Sequence, residues 1–246
     1  MTAESVDEPE AWRLVGTPRF GGILVVADHA SNRVPKDIDL GIAPALMREH
    51  IAVDIGVAGV AEAMVRTGTA AFLGNVSRLV CDTNRDERDA AAIPEASDGR
   101  SIPGNIGIDR EARLARFHRP YHAALARVLD ETPPALTLVL HSFTPSLASD
   151  PAEPRPWHCG VLYDNDSRGA RLAEPLLEAD GLLVGDQLPY SGKIYNAVIR
   201  RHFESEGRPY LYLEIRQDLI ADTEGQREWA ARLARICNTI ALEVAE

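Results

Sequence analysis

The chain has 246 residues, 45% hydrophobic and 26% charged, enough for one large α/β domain of ordinary globular make-up. Its formal net charge of −11 repels nucleic acid and anionic membranes, while local arginines can still hold a small anionic ligand. No apolar run approaches the roughly 20 residues of a membrane span. The N-terminus lacks a signal-peptide layout, and Cys81, Cys159 and Cys237 fit no paired or zinc-ribbon spacing, so a reducing, cytoplasmic setting is expected.

Residues 1–11 read as a loose acidic tail, and residues 12–246 as a single domain. Residues 22–29 (GILVVADH) form a short β-branched run, the pattern of a strand buried on both faces. Helical spacing follows over 43–66 through Leu46, Ile51, Ile55, Val60 and Met64. Two short strands are predicted at 70–74 and 78–82. The irregular stretch 86–107 is either a functional loop or lid, or disordered. A helix is predicted over 109–131, kinked by Pro120. Residues 136–141 (LTLVLH) form another apolar strand, and a proline-rich loop covers 144–158. A strand at 159–163, a helix at 166–179, a short strand at 182–184 and a turn at 189–193 come next. The chain ends with a strand at 210–216 and an amphipathic helix at 224–245. Strands alternating with helices give an α/β layered sheet with helices on both faces.

Three predicted strands end in polar groups: Asp28–His29, His141–Ser142 and Glu214–Arg216. Ligands of open α/β sheets bind beyond the carboxyl ends of the strands, and locked apolar strands deliver such ends accurately. Two histidines with carboxylates there suit a divalent metal, which would take three N/O ligands and keep a position for water. One histidine at a strand end is commonly structural; two, each after a β-branched run, strengthen the metal reading. His118 and His122 share i, i+4 spacing on a helix, but the glutamate of H-E-x-x-H is absent and Pro120 lies between them, so surface or packing roles are favoured. His50 and His158 carry no strong claim. Ser142 lacks a G-x-S-x-G elbow, and GxxxxGKS and GxGxxG loops are missing. The segment Tyr190-Ser191-Gly192 is either an active-site loop or a plain turn.

Several segments, in order, resemble the N-formylglutamate amidohydrolases: ADHASNRVP (27–35), VDIG (53–56), SRLVCDTNR (77–85), HSFTP (141–145) and RHFESEGRPYLYLEIRQDLI (201–220). That family is similar in fold to the zinc carboxypeptidases, which implies three layers, with a mixed, mostly parallel sheet between helices. Within that resemblance, Asp82-Thr83-Asn84-Arg85 looks like the D-x-N-R segment that holds a substrate carboxylate, and Glu214-Ile215-Arg216 like the strand of the catalytic glutamate. His29 and His141 match the metal-binding histidines. Asn32 stands where carboxypeptidases carry a glutamate ligand, and HASNRVP departs from the usual P-H-[SA]-G. The third ligand is then Asn32 or Asp54, and the match of VDIG favours Asp54.

The resemblance thus implies one divalent metal, zinc foremost, on His29, Asp54 and His141. It gives Glu214 as general base, and Asn84 and Arg85 as anchors of an amino-acid carboxylate. Arg78 is a second carboxylate contact or a partner for Asp82. Arg201 and His202 match an Arg-His segment of the family, in which His202 would stabilise the oxyanion or bind substrate; alternatively the pair caps a helix C-terminus. The implied partner is a small anionic N-acyl amino acid, with N-formylglutamate foremost and formate and glutamate as products. The rival readings are a hydrolase of a different N-acyl amino acid, and a non-catalytic carboxylate-binding domain on the same scaffold.

Overall fold

The computed structural model describes residues 11–194 and 197–244. Its centre is a seven-stranded sheet. In chain order the strands are β1 (Trp12–Val15), β2 (Ile23–Ala27), β3 (Thr69–Gly74), a separate hairpin of β4 (Ala96–Ser97) and β5 (Arg100–Ser101), then β6 (Leu136–Phe143), β7 (Cys159–Leu162), β8 (Val184–Asp186) and β9 (Tyr210–Arg216). The sheet order is β1-β3-β2-β6-β9-β7-β8. β3, β2, β6 and β9 run parallel, whereas β1 against β3 and β7 against β9 are antiparallel. This is the mixed, mostly parallel sheet expected. The central strands are buried along both faces, which is why they read as apolar runs rather than alternating ones.

The helices are α1 (Val57–Met64), α2 (Arg110–Arg113), α3 (Arg119–Glu131), α4 (Arg168–Ala179), α5 (Ala197–His202) and α6 (Thr223–Glu243). Two apolar cores lie on opposite faces of the sheet. One joins Val26, Phe72 and Val139 to Phe117, Tyr121 and Leu125; the other joins Val25, Leu138 and Leu213 to Val60, Leu177 and Trp229. Side chains alternate along a strand, so His141 shares a face with Val139, and Glu214 shares that same face with Tyr210 and Tyr212. Each large apolar side chain fully buried in these cores contributes about 1.5–3 kcal/mol, which holds the strand ends in place.

Several elements differ from expectation. β1 is an additional edge strand. The acidic tail falls outside the described residues except Ala11, which is buried in the core. The helix expected from residue 43 begins only at Val57, after a short 3-10 turn at Pro44–Arg48. Gly56 ends the intervening loop at φ +82°, and a Cβ there would lie 2.1 Å from Ile220 O. Residues 78–82 form a helical turn instead of a strand, because Ser77 O accepts from Val80 N and Cys81 N while Ser77 Oγ accepts from Leu79 N. Arg78 and Asp82 therefore meet as an i, i+4 pair. Pro120 has no N–H to give the preceding turn, and the helix widens just before it into a π-turn at Leu114–His118. The 86–107 segment is ordered, with the β4–β5 hairpin at its tip. No helix among the described residues is long and apolar enough to cross a membrane.

Candidate active site

A cavity of about 290 Å³ opens beyond the carboxyl ends of β2, β6 and β9. Its walls include His29, Asp54, Arg78, Asn84, Arg85, His141, Tyr190, Tyr212 and Glu214. His29 follows β2, and His141 and Glu214 are direct neighbours across the β6–β9 pair. Asp54 comes from the loop before α1. Its N–H donates to His29 O (3.0 Å), and Ser142 N donates to its Oδ2 (3.4 Å), so the backbone ties it to both histidine-bearing strands.

The two imidazoles are oriented alike. Nδ1 of His141 and Nδ1 of His29 face the same Asp54 Oδ2, at 2.8 and 3.4 Å. One ligating atom from each of the three residues lies within 4.8 Å of the others, all three residues being buried. Nε2 of each ring faces away, to Asp82 Oδ1 (2.8 Å) from His29 and to Asp28 Oδ2 (3.3 Å) from His141. These outer carboxylates fix the ring orientation in the way that supports metal-bound histidines. Tyr121 OH donates to Asp28, and Asp82 also accepts from Asn84 N (3.0 Å) and Arg78 Nη2 (3.0 Å).

The charge balance fits a divalent cation. Asp28, Asp54, Asp82 and Glu214 are all buried, while Arg78, 3.3 Å from Asp54 and 3.0 Å from Asp82, and the rim residue Arg85 are the arginines of the cavity. Burial alone would raise the pKa of Asp82, but the charges of His29 and Arg78 outweigh it and hold the carboxyl well below its usual range. Burial would likewise lower the pKa of His141, and the hydrogen bonds to Asp28 and Asp54 raise it instead. Without protons on the two histidines the buried carboxylates outnumber the arginines, and a divalent cation would take the place of those two protons. His29 Nδ1 is buried with no hydrogen-bond partner, an orphan donor site aimed at the shared Asp54 oxygen. Histidine nitrogens and a carboxylate oxygen suit zinc and also other first-row divalent metals.

Burial pushes the pKa of Glu214 up to about 7, against the pull of the His141 charge. Its Oε2 is also buried without a hydrogen-bond partner. Such a carboxyl is poised to exchange a proton near neutrality.

Asn84 and Arg85 line the cavity opposite. Asn84 Oδ1 accepts from Val198 N on α5 (3.3 Å), and its amide nitrogen reaches Tyr212 OH at 3.5 Å. Arg85 Nε is 3.9 Å from Asp82 Oδ2. Arg78 pairs with Asp82 and also lines the cavity. Asn32 is exposed and donates to Met47 O (2.9 Å), outside the cavity.

Two expected site residues do not line this cavity. Arg201 is exposed and lines an adjoining cavity that shares Asn84 and Arg85 with the first and also includes Arg200, His118 and His122. His202 is buried behind that cavity wall, where its Nε2 lies 2.8 Å from His122 Nδ1. Both belong to the last turn of α5.

Asp28 carried no role from the sequence and was signalled only by standing beside His29. Tyr190, in a segment read as an active-site loop or a plain turn, lines the cavity, and Arg155 Nη1 donates to its hydroxyl (2.9 Å). At the mouth, Asp98 accepts from Ala148 N, Ser149 N and His50 Nε2 at 2.8–3.0 Å, joining the hairpin tip to the proline-rich loop.

The gene product Atu2144 of Agrobacterium tumefaciens is 28% identical, with a TM-score of 0.88 over 96% of this chain and 97% of that one. N-formylglutamate amidohydrolase from Ralstonia eutropha JMP134 is 23% identical, with a TM-score of 0.70 over 97% and 98%, a likeness of fold. Comparison with curated proteins finds no match. The family model for N-formylglutamate amidohydrolase matches residues 21–221, and the chain belongs to that family.

Proposed function

We propose that the protein hydrolyses the amide bond of a small N-acyl amino acid, N-formylglutamate foremost, with one divalent metal, zinc foremost. The observation that carries the reading is the meeting of a His-Asp-His donor set with a buried, proton-exchanging carboxylate in one cavity. A metal held by His29, Asp54 and His141 would lower the pKa of a bound water and polarise the acyl carbonyl.

The chain's own groups do the rest. Glu214 takes the proton of the attacking water and returns it to the leaving amine nitrogen. Asn84 and Arg85 hold the amino-acid carboxylate, the arginine through paired N–H donors. Arg78 keeps Asp82 and Asp54 charged, and so holds His29 in its ring orientation. A cavity of about 290 Å³ favours an acylated single amino acid over a longer peptide. Formyl, as the smallest acyl group, leaves most of that space to the amino-acid side chain.

Reconstitution with single metals, followed by a panel of N-formyl and N-acetyl amino acids, tests the reading. The expected result is turnover that is highest for an N-formyl acidic amino acid and lost on chelation. Metal-loaded protein that turns over no member of the panel overturns it.

A further inference from the structure

We propose that His118 and His122 are positioning residues for the carboxylate clamp: they hold from behind the two carbonyls that bracket Asn84–Arg85. His122 Nε2 is 3.0 Å from Thr83 O, the carbonyl before Asn84, and His118 Nε2 is 2.8 Å from Arg85 O, the carbonyl after Arg85. The inference rests on reading Asn84 and Arg85 as the carboxylate site.

The hydrogen bonds fix the tautomers. A carbonyl oxygen only accepts, so both Nε2 atoms carry the proton. His122 Nδ1 is then a bare acceptor, and the partner 2.8 Å away, His202 Nε2, must donate to it. The relay runs one way, from His202 on α5 through His122 on α3 to Thr83 O. The rings pack closely, with centroids 4.4 Å apart for His118–His122 and 5.1 Å for His122–His202. All three side chains are buried. Burial pushes the pKa of His122 down to about 2 and that of His202 to about 4, which keeps the relay neutral.

Packing alone does not explain this choice of residue. Phenylalanine would fill the same space on an apolar helix face, yet both imidazoles direct their N–H groups at the ends of one dipeptide. The same dipeptide is held from the metal side by Asp82, which accepts from Asn84 N, and from α5 by Val198 N, which donates to the Asn84 side chain. Removing the histidine donors takes away these bonds to the buried Thr83 carbonyl and the part-buried Arg85 carbonyl and frees the clamp to shift, while His29, Asp54, His141 and Glu214 keep their own supports.

The test compares His118→Phe and His122→Phe with His118→Gln and His122→Gln, since a glutamine amide can replace the Nε2–H donor. Each is assayed on an N-formyl amino acid and on its C-terminal amide, which lacks the carboxylate. The phenylalanine variants are expected to raise KM about tenfold for the carboxylate substrate, with kcat changed by less than about threefold. Glutamine restores KM, and the amide substrate is hydrolysed alike by all. Equal losses on both substrates, or a fall in kcat at constant KM, overturn the proposal. Titration with glutarate, a dicarboxylate with no scissile bond, gives a readout independent of turnover. If the wild-type protein hydrolyses nothing, the functional reading falls, and unchanged glutarate affinity in the phenylalanine variants then overturns the positioning role as well. His118→Phe breaks only one hydrogen bond, so it keeps the test open if His122→Phe does not fold.

Discussion

His141 on β6 and Glu214 on β9 sit directly opposite each other in a parallel pair, with both side chains on the cavity face of the sheet. The sheet register alone thus sets a metal-ligand candidate beside a proton carrier. If Glu214 is the base, as proposed, Glu214→Gln keeps the shape and removes it. A loss of about 10²–10⁴ in kcat is expected, with metal content and KM close to wild type. Steady-state kinetics with parallel metal analysis checks this. Turnover within threefold of wild type would remove Glu214 from the reaction.

Asp82 accepts from His29, Asn84 and Arg78 at 2.8–3.0 Å, so it serves both the donor set and the clamp. Asp82→Ala is expected to weaken metal binding by about 10–100-fold, and Asp82→Asn by less, because the amide oxygen can still accept from His29 Nε2. Competition with a chromophoric chelator measures both. Wild-type affinity in the alanine variant would show that His29 needs no such support.

Much of this arrangement is legible in the sequence, for a physical reason. β2, β6 and β9 are buried on both faces, so they appear as β-branched runs, and the polar residues ending them had to lie at one edge. The fourth-rank details were set by side chains hydrogen-bonding to backbone. Ser77 turns 77–82 into a helical turn, which periodicity reads as a strand. Asp54 is tied to His29 O and Ser142 N, which delays the helix to Val57. Of the surface and packing roles expected for His118 and His122, packing is the one observed: both rings are buried against each other beside the π-turn that precedes Pro120. Arg201 and His202 matched a family segment, yet neither lines the cavity of His29, Asp54 and His141; Arg201 lines the adjoining one and His202 packs on His122. Motif order carries no information on which side of a short helix faces the cavity.

Gly56 lies two residues after Asp54 at φ +82°, and a Cβ there would stand 2.1 Å from Ile220 O. Gly56→Ala therefore meets both a left-handed backbone and a backbone clash. A loss of about 2 kcal/mol or more of stability is expected, together with weaker metal binding as the Asp54 loop moves. Urea melts and the chelator competition check the two effects. Wild-type stability would mean that the loop yields easily and that Asp54 is not held by it.

The neutral histidine relay gives the fold an acid limit. His122 and His202 bind protons less readily in the folded chain, where burial holds their pKa values near about 2 and about 4. In the unfolded chain both titrate near about 6.5. Above that pH neither state is protonated and neither residue adds pH dependence. As pH falls through that value the unfolded chain gains protons that the folded chain refuses, so stability drops, down to about 4 for His202 and about 2 for His122. Between pH 7 and 5 each residue is expected to cost about 2 kcal/mol. His202→Gln keeps an N–H for His122 Nδ1 but does not titrate, so its loss over that interval is expected to be about 2 kcal/mol smaller than that of wild type. Urea unfolding at pH 7 and 5, at matched metal occupancy, measures the difference. Equal pH slopes for the two proteins would mean that His202 is protonated as readily folded as unfolded, and that burial does not keep the relay neutral.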